Sequence, residues 1–209
     1  MKKINTLLLS AVFISGVLSA EIIYSNDFSG TGKIYPGEQL INVSIDGSGC
    51  LRATAPIAAF LRIPLNEQKI ASASALKTTV KMTSVKKTEN WLGFGFTGVK
   101  SSAINRDGGP WMLVRSTYLA FRSGMGATSE PSFPSAYGAG DSLTVEMIYN
   151  IRDNKVDVIL NGKKIRTGFP VNYTVSGAPA KPELKFFQLQ FYQIDDTGCF
   201  DSVTLETIE

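Results

Sequence analysis

The chain has no histidine among its 209 residues, so neither a Ser-His-Asp nor a Cys-His relay can be assembled from it. Its carboxylates are scattered. Glu146 stands alone between Val145 and Met147, and Asp157 is isolated as well. The residues best suited to chemistry are planar and polar instead. In FQLQFY, Gln188, Gln190 and Tyr192 alternate with Phe187, Leu189 and Phe191, so an extended backbone sends the two sets to opposite faces. Two glutamines beside a tyrosine make a wet surface with donors and acceptors. Trp91, Trp111, Arg115 and Arg122 stand on neighbouring segments in positions to join it. These seven are the ligand-binding candidates. The plainer alternative is that the tryptophans are core residues and the polar face is only a solvated one.

The compartment is set at the beginning. MKKINTLLLSAVFISGVLSA places Lys2 and Lys3 before an apolar run from Leu7 to Leu18, and small residues follow at Ser19 and Ala20. That is the pattern of a secretory signal peptide over residues 1–20, cut after Ser19 or Ala20. The run is short for a membrane span, and no later segment approaches the roughly 20 apolar residues that a spanning helix needs. The expectation is a secreted chain, extracellular or periplasmic, that does not span a membrane. Two cysteines without Cys-x-x-Cys spacing, in an exported chain, then favour a disulfide between Cys50 and Cys199 over a redox pair. Two buried free thiols are the alternative.

What remains, residues 21–209, suits one domain with a sizeable core. Removing Lys2 and Lys3 leaves 19 basic against 18 acidic residues, and the formal charge falls from +3 to +1. Nucleic acid is not an expected partner, because phosphate binding needs clustered cations and these are dispersed.

The elements that must position the candidates read as strands. Short alternating segments separated by glycine, proline, asparagine and serine run along the whole chain, with no sustained helical period. Early strands are expected at 22–28, 39–45, 50–54 and 60–64, and QKIASASALK reads as a short helix or a loop. In LKTTVKMTSV, Leu76, Thr78, Val80 and Met82 alternate with Lys77, Thr79, Lys81 and Thr83, giving one apolar and one wet face. In NWLGFGFTGV, Leu92, Phe94 and Phe96 share a face, and Trp91, Gly93 and Gly95 share the other. Glycines there either let another strand approach or leave room for a ligand. WMLVR and YLAFR give two more strands, and a long loop follows through GMGATSEPSFPSAYGAGDS, of a length that commonly covers or binds something. SLTVEMIYNIRDNKVDVILNGKKI gives a hairpin and a second turn at Asn161-Gly162, where both residues tolerate positive φ.

The order of NDFSG, LKTTVKMTSVKKTENWLGFGF, DSLTVEMIYNIRDNKVDVILNGKKI and GCFDSVTLE along the chain resembles the concanavalin A-like lectin/glucanase superfamily, and secreted laminin G-like bacterial domains in particular. The resemblance covers the whole mature chain. It implies an all-β, jelly-roll β-sandwich of two antiparallel sheets, one concave, with the first and last strands as neighbours. Glucanases of this superfamily carry a Glu-x-Asp-x-x-Glu strand, whose nucleophile and acid/base stand about 5 Å apart. The chain lacks that pattern, and it lacks the histidine that jelly-roll lyases use, so the balance is against an enzyme. The resemblance thus implies a non-catalytic carbohydrate-binding or adhesion module, whose partner is a polysaccharide or cell-surface glycan held on the concave face. A structural or protein-interaction domain is the alternative, and a glycoside hydrolase or lyase with an unrecognised site is a further one. It also implies a structural calcium ion between the N-terminal segment and the last strand, with Asp201 in the matching place; Asp27, backbone carbonyls near Asp46–Gly49 and the Asp195-Asp196 pair are further oxygens that could help complete the set. Calcium would need six to eight oxygens. The plainer role for Asp201 is to accept backbone hydrogen bonds.

Overall fold

The structure is a computed structural model that describes residues 19–30, 35–98, 108–124, 132–134, 137–172, 174–175, 178–193 and 196–209. The expected signal segment through residue 18, Asp195 and parts of the long loop between 124 and 142 lie outside them. Strands β1 (Ala20–Asn26), β2 (Gln39–Ile41), β3 (Val43–Ile45), β4 (Leu51–Ala53) and β5 (Ala59–Pro64) precede the one helix among the described residues, α1 (Glu67–Ser72). Then come β6 (Ala75–Thr83), β7 (Trp91–Thr97), β8 (Gly108–Val114), β9 (Tyr118–Gly124), β10 (Ser132–Pro134), β11 (Ser142–Asn150), β12 (Lys155–Leu160) and β13 (Lys163–Pro170). The short β14 (Thr174–Val175) and β15 (Ala178–Pro179) form a separate pair, and β16 (Phe186–Tyr192) and β17 (Cys199–Ile208) close the chain. No described helix is long and apolar enough to cross a membrane.

Two antiparallel sheets face each other. The first runs β13-β12-β11-β6-β17-β4-β3, and the second β10-β9-β8-β7-β16-β5-β2. The chain crosses between the sheets repeatedly, while β7 to β10 and β11 to β13 each run as a meander within one sheet. The alternation read from the sequence explains the packing. From the first sheet, Leu76, Val80, Met82, Val145, Met147 and Val203 point inward. From the second come Leu92, Phe94, Phe96, Phe121, Phe187 and Leu189, and all are buried in one cluster. On the outer side of the first sheet the partners are wet. Lys77 Nζ lies 2.9 Å from Glu146 and 3.7 Å from Glu206, and Lys164 Nζ lies 2.9 Å from Asp157.

The terminal strand pairs with β6 along one edge. Its other edge is shared: Phe200 faces Leu51 of β4, while Val203 to Ile208 pair with β1. First and last strands are therefore neighbours, and the Cys50–Cys199 disulfide, with Cα atoms 5.9 Å apart, ties the closure. Arg52 adds a second tie. Its Nε donates to Asp46 at 2.6 Å, and its Nη1 donates to the carbonyls of Asp196 and Thr197.

Three expectations needed correction, the first being the long loop after YLAFR, within which Ser132–Pro134 forms β10 and pairs with Tyr118–Ala120 of β9. The single strand over 39–45 is broken at Asn42, whose φ is +52°. There the chain leaves the second sheet (β2) and enters the first (β3), and the Asn42 side chain donates to the carbonyls of Ile57 and Ala58. Asparagine tolerates this left-handed backbone better than most side chains. The strand expected over 22–28 ends at Asn26, because Phe28 has φ +53° and turns its ring into the core. The undecided QKIASASALK tract is a helix to Ser72 and a strand from Ala75. Asn66 caps the helix, accepting from the Gln68 and Lys69 amides.

Candidate functional site

The outer face of the second sheet differs from that of the first. Register places Tyr192 opposite Trp91, Gln190 opposite Gly93 and Gln188 opposite Gly95. On the far side of β7, Gly95 faces Trp111 and Gly93 faces Leu113, and Trp111 in turn faces Arg122 of β9. All seven candidates thus converge on one face, Arg115 immediately after β8. Trp91 and Trp111 belong not to the sandwich core but to a second buried cluster with Leu113 and Ala120, against which Tyr118 packs. Trp91 stacks on Tyr192 with ring centres 5.4 Å apart and planes 3° from parallel, and meets Trp111 at 5.8 Å in a tilted contact.

The glycines make this possible. The Trp91 ring lies over Gly93, so a Cβ there would come within 2.9 Å of it. Gly95 sits so close to β8 that a Cβ would be 2.4 Å from Trp111 Cβ and from the Pro110 carbonyl.

The face is less wet than the alternation predicts. Gln188 is fully buried and Gln190 is 6% exposed. Gln188 accepts from Arg62 Nε at 3.1 Å and donates to Gln190 at 3.2 Å. Arg62, on β5, also donates to Gln39 and lies over the rings of Phe60 and Phe186. It was missed because AFLRIP reads as a core strand, although phase sends Phe60 and Arg62 to the same face as the glutamines. Burial of such a network is tolerable because its polar atoms are mutually bonded. The accessible part of the face lies at its end: Tyr192 is 44% exposed, and Arg115 and Tyr118 are half-buried. Arg115 Nη1 donates to the carbonyl of Thr88 at 2.8 Å, and its guanidinium stands 5.7 Å from the Tyr118 ring centre.

The suggested calcium ligands Asp201 and Asp27 are each engaged with protein groups. Asp201 lies against the disulfide, with a carboxylate oxygen 3.3 and 3.4 Å from the two sulfurs. Disulfide sulfurs carry no proton, so these are contacts and not hydrogen bonds. The one cluster of three potential metal ligands among the described residues is Cys50, Cys199 and Asp201. Two of its members are oxidised sulfurs, which gives a hard cation only one anionic oxygen. Asp27 is held locally, accepting from the Ser29 amide and hydroxyl.

Asp201 and Asp46 respond to pH in opposite directions. Burial, only partly offset by Arg52, raises the Asp201 pKa. The folded chain then takes up that proton before the unfolded chain does, so the ionised carboxylate costs stability at neutral pH and the cost is relieved as pH falls through the raised value. Hydrogen bonds from Ser48 and Arg52 hold Asp46 well below the usual carboxylate range. Its contribution is present above about pH 4 and is lost as pH falls through its folded value. Thermal melts should show Asp201→Asn above wild type at pH 7, with the gap narrowing toward pH 4. Asp46→Asn should lie below wild type at pH 7. An Asp201→Asn gap that widens on acidification would refute the assignment.

No protein-family model matches the sequence, and no curated protein sequence matches it. Solved structures do. The carbohydrate recognition domain of Emp47p superposes with a TM-score of 0.58 at 12% identity, covering 88% of this chain and 95% of that one. The CBM2 module of the evolved Dit of Lactobacillus casei BL23 phage J-1 gives 0.57 at 11%, covering 91% and 97%. A Trypanosoma rangeli sialidase gives 0.59 at 14%, and the match spans 90% of this chain but 30% of the sialidase. Together with the strand order, these matches show the fold: a jelly-roll β-sandwich of two antiparallel sheets.

Proposed function

We propose that the protein is a secreted, non-catalytic carbohydrate-binding or adhesion module that takes a polysaccharide or cell-surface glycan at the Tyr192 end of the second sheet. The carrying observation is the Trp91–Tyr192 stack, an aromatic pair built outside the core with one ring open to solvent. A sugar ring offers one face of C–H groups to an aromatic surface and turns its hydroxyls to polar neighbours. The carbohydrate recognition domain and the CBM2 module among the structural matches support the same reading. Export is supported by the disulfide, which persists in oxidising compartments.

A non-catalytic role is supported by the absence of histidine from the sequence. Glu146 and Glu206 approach each other on the other sheet, but Lys77 stands between them. A structural or protein-interaction domain is the second reading, favoured by the depth at which Trp111 and Gln188 are buried, at 2% and 0% exposure.

A glycan array with the mature protein separates the two. Tyr192→Ala should weaken glycan binding about 30-fold or more, the scale of losing an aromatic anchor, while leaving the melting temperature near wild type because the ring is surface-exposed. Silence across a broad array from folded protein would favour the interaction domain. Chelator should leave binding unchanged.

A further inference from the structure

We infer that the glycan is acidic, and that Arg115 receives a sugar carboxylate beside the Trp91–Tyr192 stack; this rests on the carbohydrate-binding reading above. The two outer sheet faces treat charge differently. On the first sheet the cations meet carboxylates, Lys77 with Glu146 and Glu206, and Lys164 with Asp157. The second sheet presents Arg62, Arg115 and Arg122, and among its described outward side chains there is no aspartate or glutamate.

Arg115 is the one of the three placed for a ligand. Arg62 is 3% exposed and engaged with Gln188, Gln39 and two rings. Arg115 is half-buried at the open end. Its hydrogen-bond partners are the carbonyls of Thr88 and Glu89, at 2.8 and 3.5 Å, and its Nε is buried without a hydrogen-bond partner. Carbonyls and the Tyr118 ring accept hydrogen bonds or polarise, but they neutralise no charge. A partly desolvated guanidinium that forms no ion pair among the described residues favours a planar anion that can meet its fork of donors, and a carboxylate matches that geometry.

Spacing fits an oligosaccharide. Val114 pairs with Leu92, so Arg115 follows β8 one strand beyond Trp91, while Tyr192 lies one strand to the other side. Two strand spacings put Tyr192 and Arg115 about 10 Å apart. One sugar ring can therefore lie on the tyrosine while an acidic group on it or on its neighbour reaches the arginine.

The test uses mature protein and a panel of oligosaccharides carrying galacturonate, glucuronate, mannuronate or sialate, each beside its carboxyl-reduced counterpart, titrated calorimetrically. At least one acidic oligosaccharide should bind about tenfold or more tightly than its reduced form, and the preference should shrink as NaCl rises from about 50 mM to about 500 mM. Arg115→Gln should bring the two forms to parity. Arg115→Lys should keep part of the preference. Equal binding of acidic and reduced forms, unaffected by Arg115→Gln but abolished by Tyr192→Ala, would overturn the acidic assignment and leave the sugar face standing. No binding of either form by folded protein would overturn both.

Discussion

Replacing Cys50 and Cys199 together by serine should lower the unfolding free energy by about 4–5 kcal/mol. The disulfide joins residues 149 apart, so in the chain-entropy account it removes much of the freedom of the unfolded chain. Domains of this size are stable by about 5–15 kcal/mol, so the loss is a large fraction of the whole. The native state adds a local reason. Strand β4 meets β17 at the single pair Phe200–Leu51, and beyond the disulfide the β3–β4 hairpin is held there by Arg52 reaching the carbonyls of Asp196 and Thr197. Urea unfolding of the double variant, and of wild type under reductant, should show the same reduced midpoint. Amide exchange should rise first in residues 43–53. A loss below about 1 kcal/mol, or protection that falls uniformly, would mean that the ladder alone holds the closure.

The strands that make this closure were legible because their side chains alternate. LKTTVKMT and SLTVEMIY each put apolar residues on one face and polar ones on the other, and they pair with Val80 opposite Val145. Only burial of one face demands that pattern. The break at Asn42 was not legible, since a switch between sheets depends on one positive φ and one side-chain bond, neither of which disturbs the alternation. At the candidate face, phase placed Gln188, Gln190, Tyr192 and Trp91 together on the correct side. Depth was another matter. Alternation says which way a side chain points and nothing of what lies over it, so the glutamines read as wet and Arg62, set between Leu61 and Ile63, read as part of a core strand.

The glycines of β7 separate stability from recognition. Gly95→Ala should cost about 3 kcal/mol, at the upper end of overpacking penalties, because the added methyl would lie 2.4 Å from the Pro110 carbonyl and 2.5 Å from Trp111 Cα. Those are backbone atoms of the paired strand. Relief requires β7 and β8 to part, with loss of ladder bonds and of the Trp111 seat opposite Gly95. Gly93→Ala meets a different obstacle. Its methyl would lie 2.9 Å from the edge of the Trp91 ring and 3.3 Å from the Met112 carbonyl, so the ring can tilt while the strands stay nearly in place. Thermal melts should therefore find Gly95→Ala much the less stable of the two. Glycan titration should find Gly93→Ala folded but weakened, because tilting Trp91 breaks its parallel stack on Tyr192. If Gly93→Ala bound as wild type, the stack would be packing and not platform, and sugar contact would have to come from Tyr192 alone.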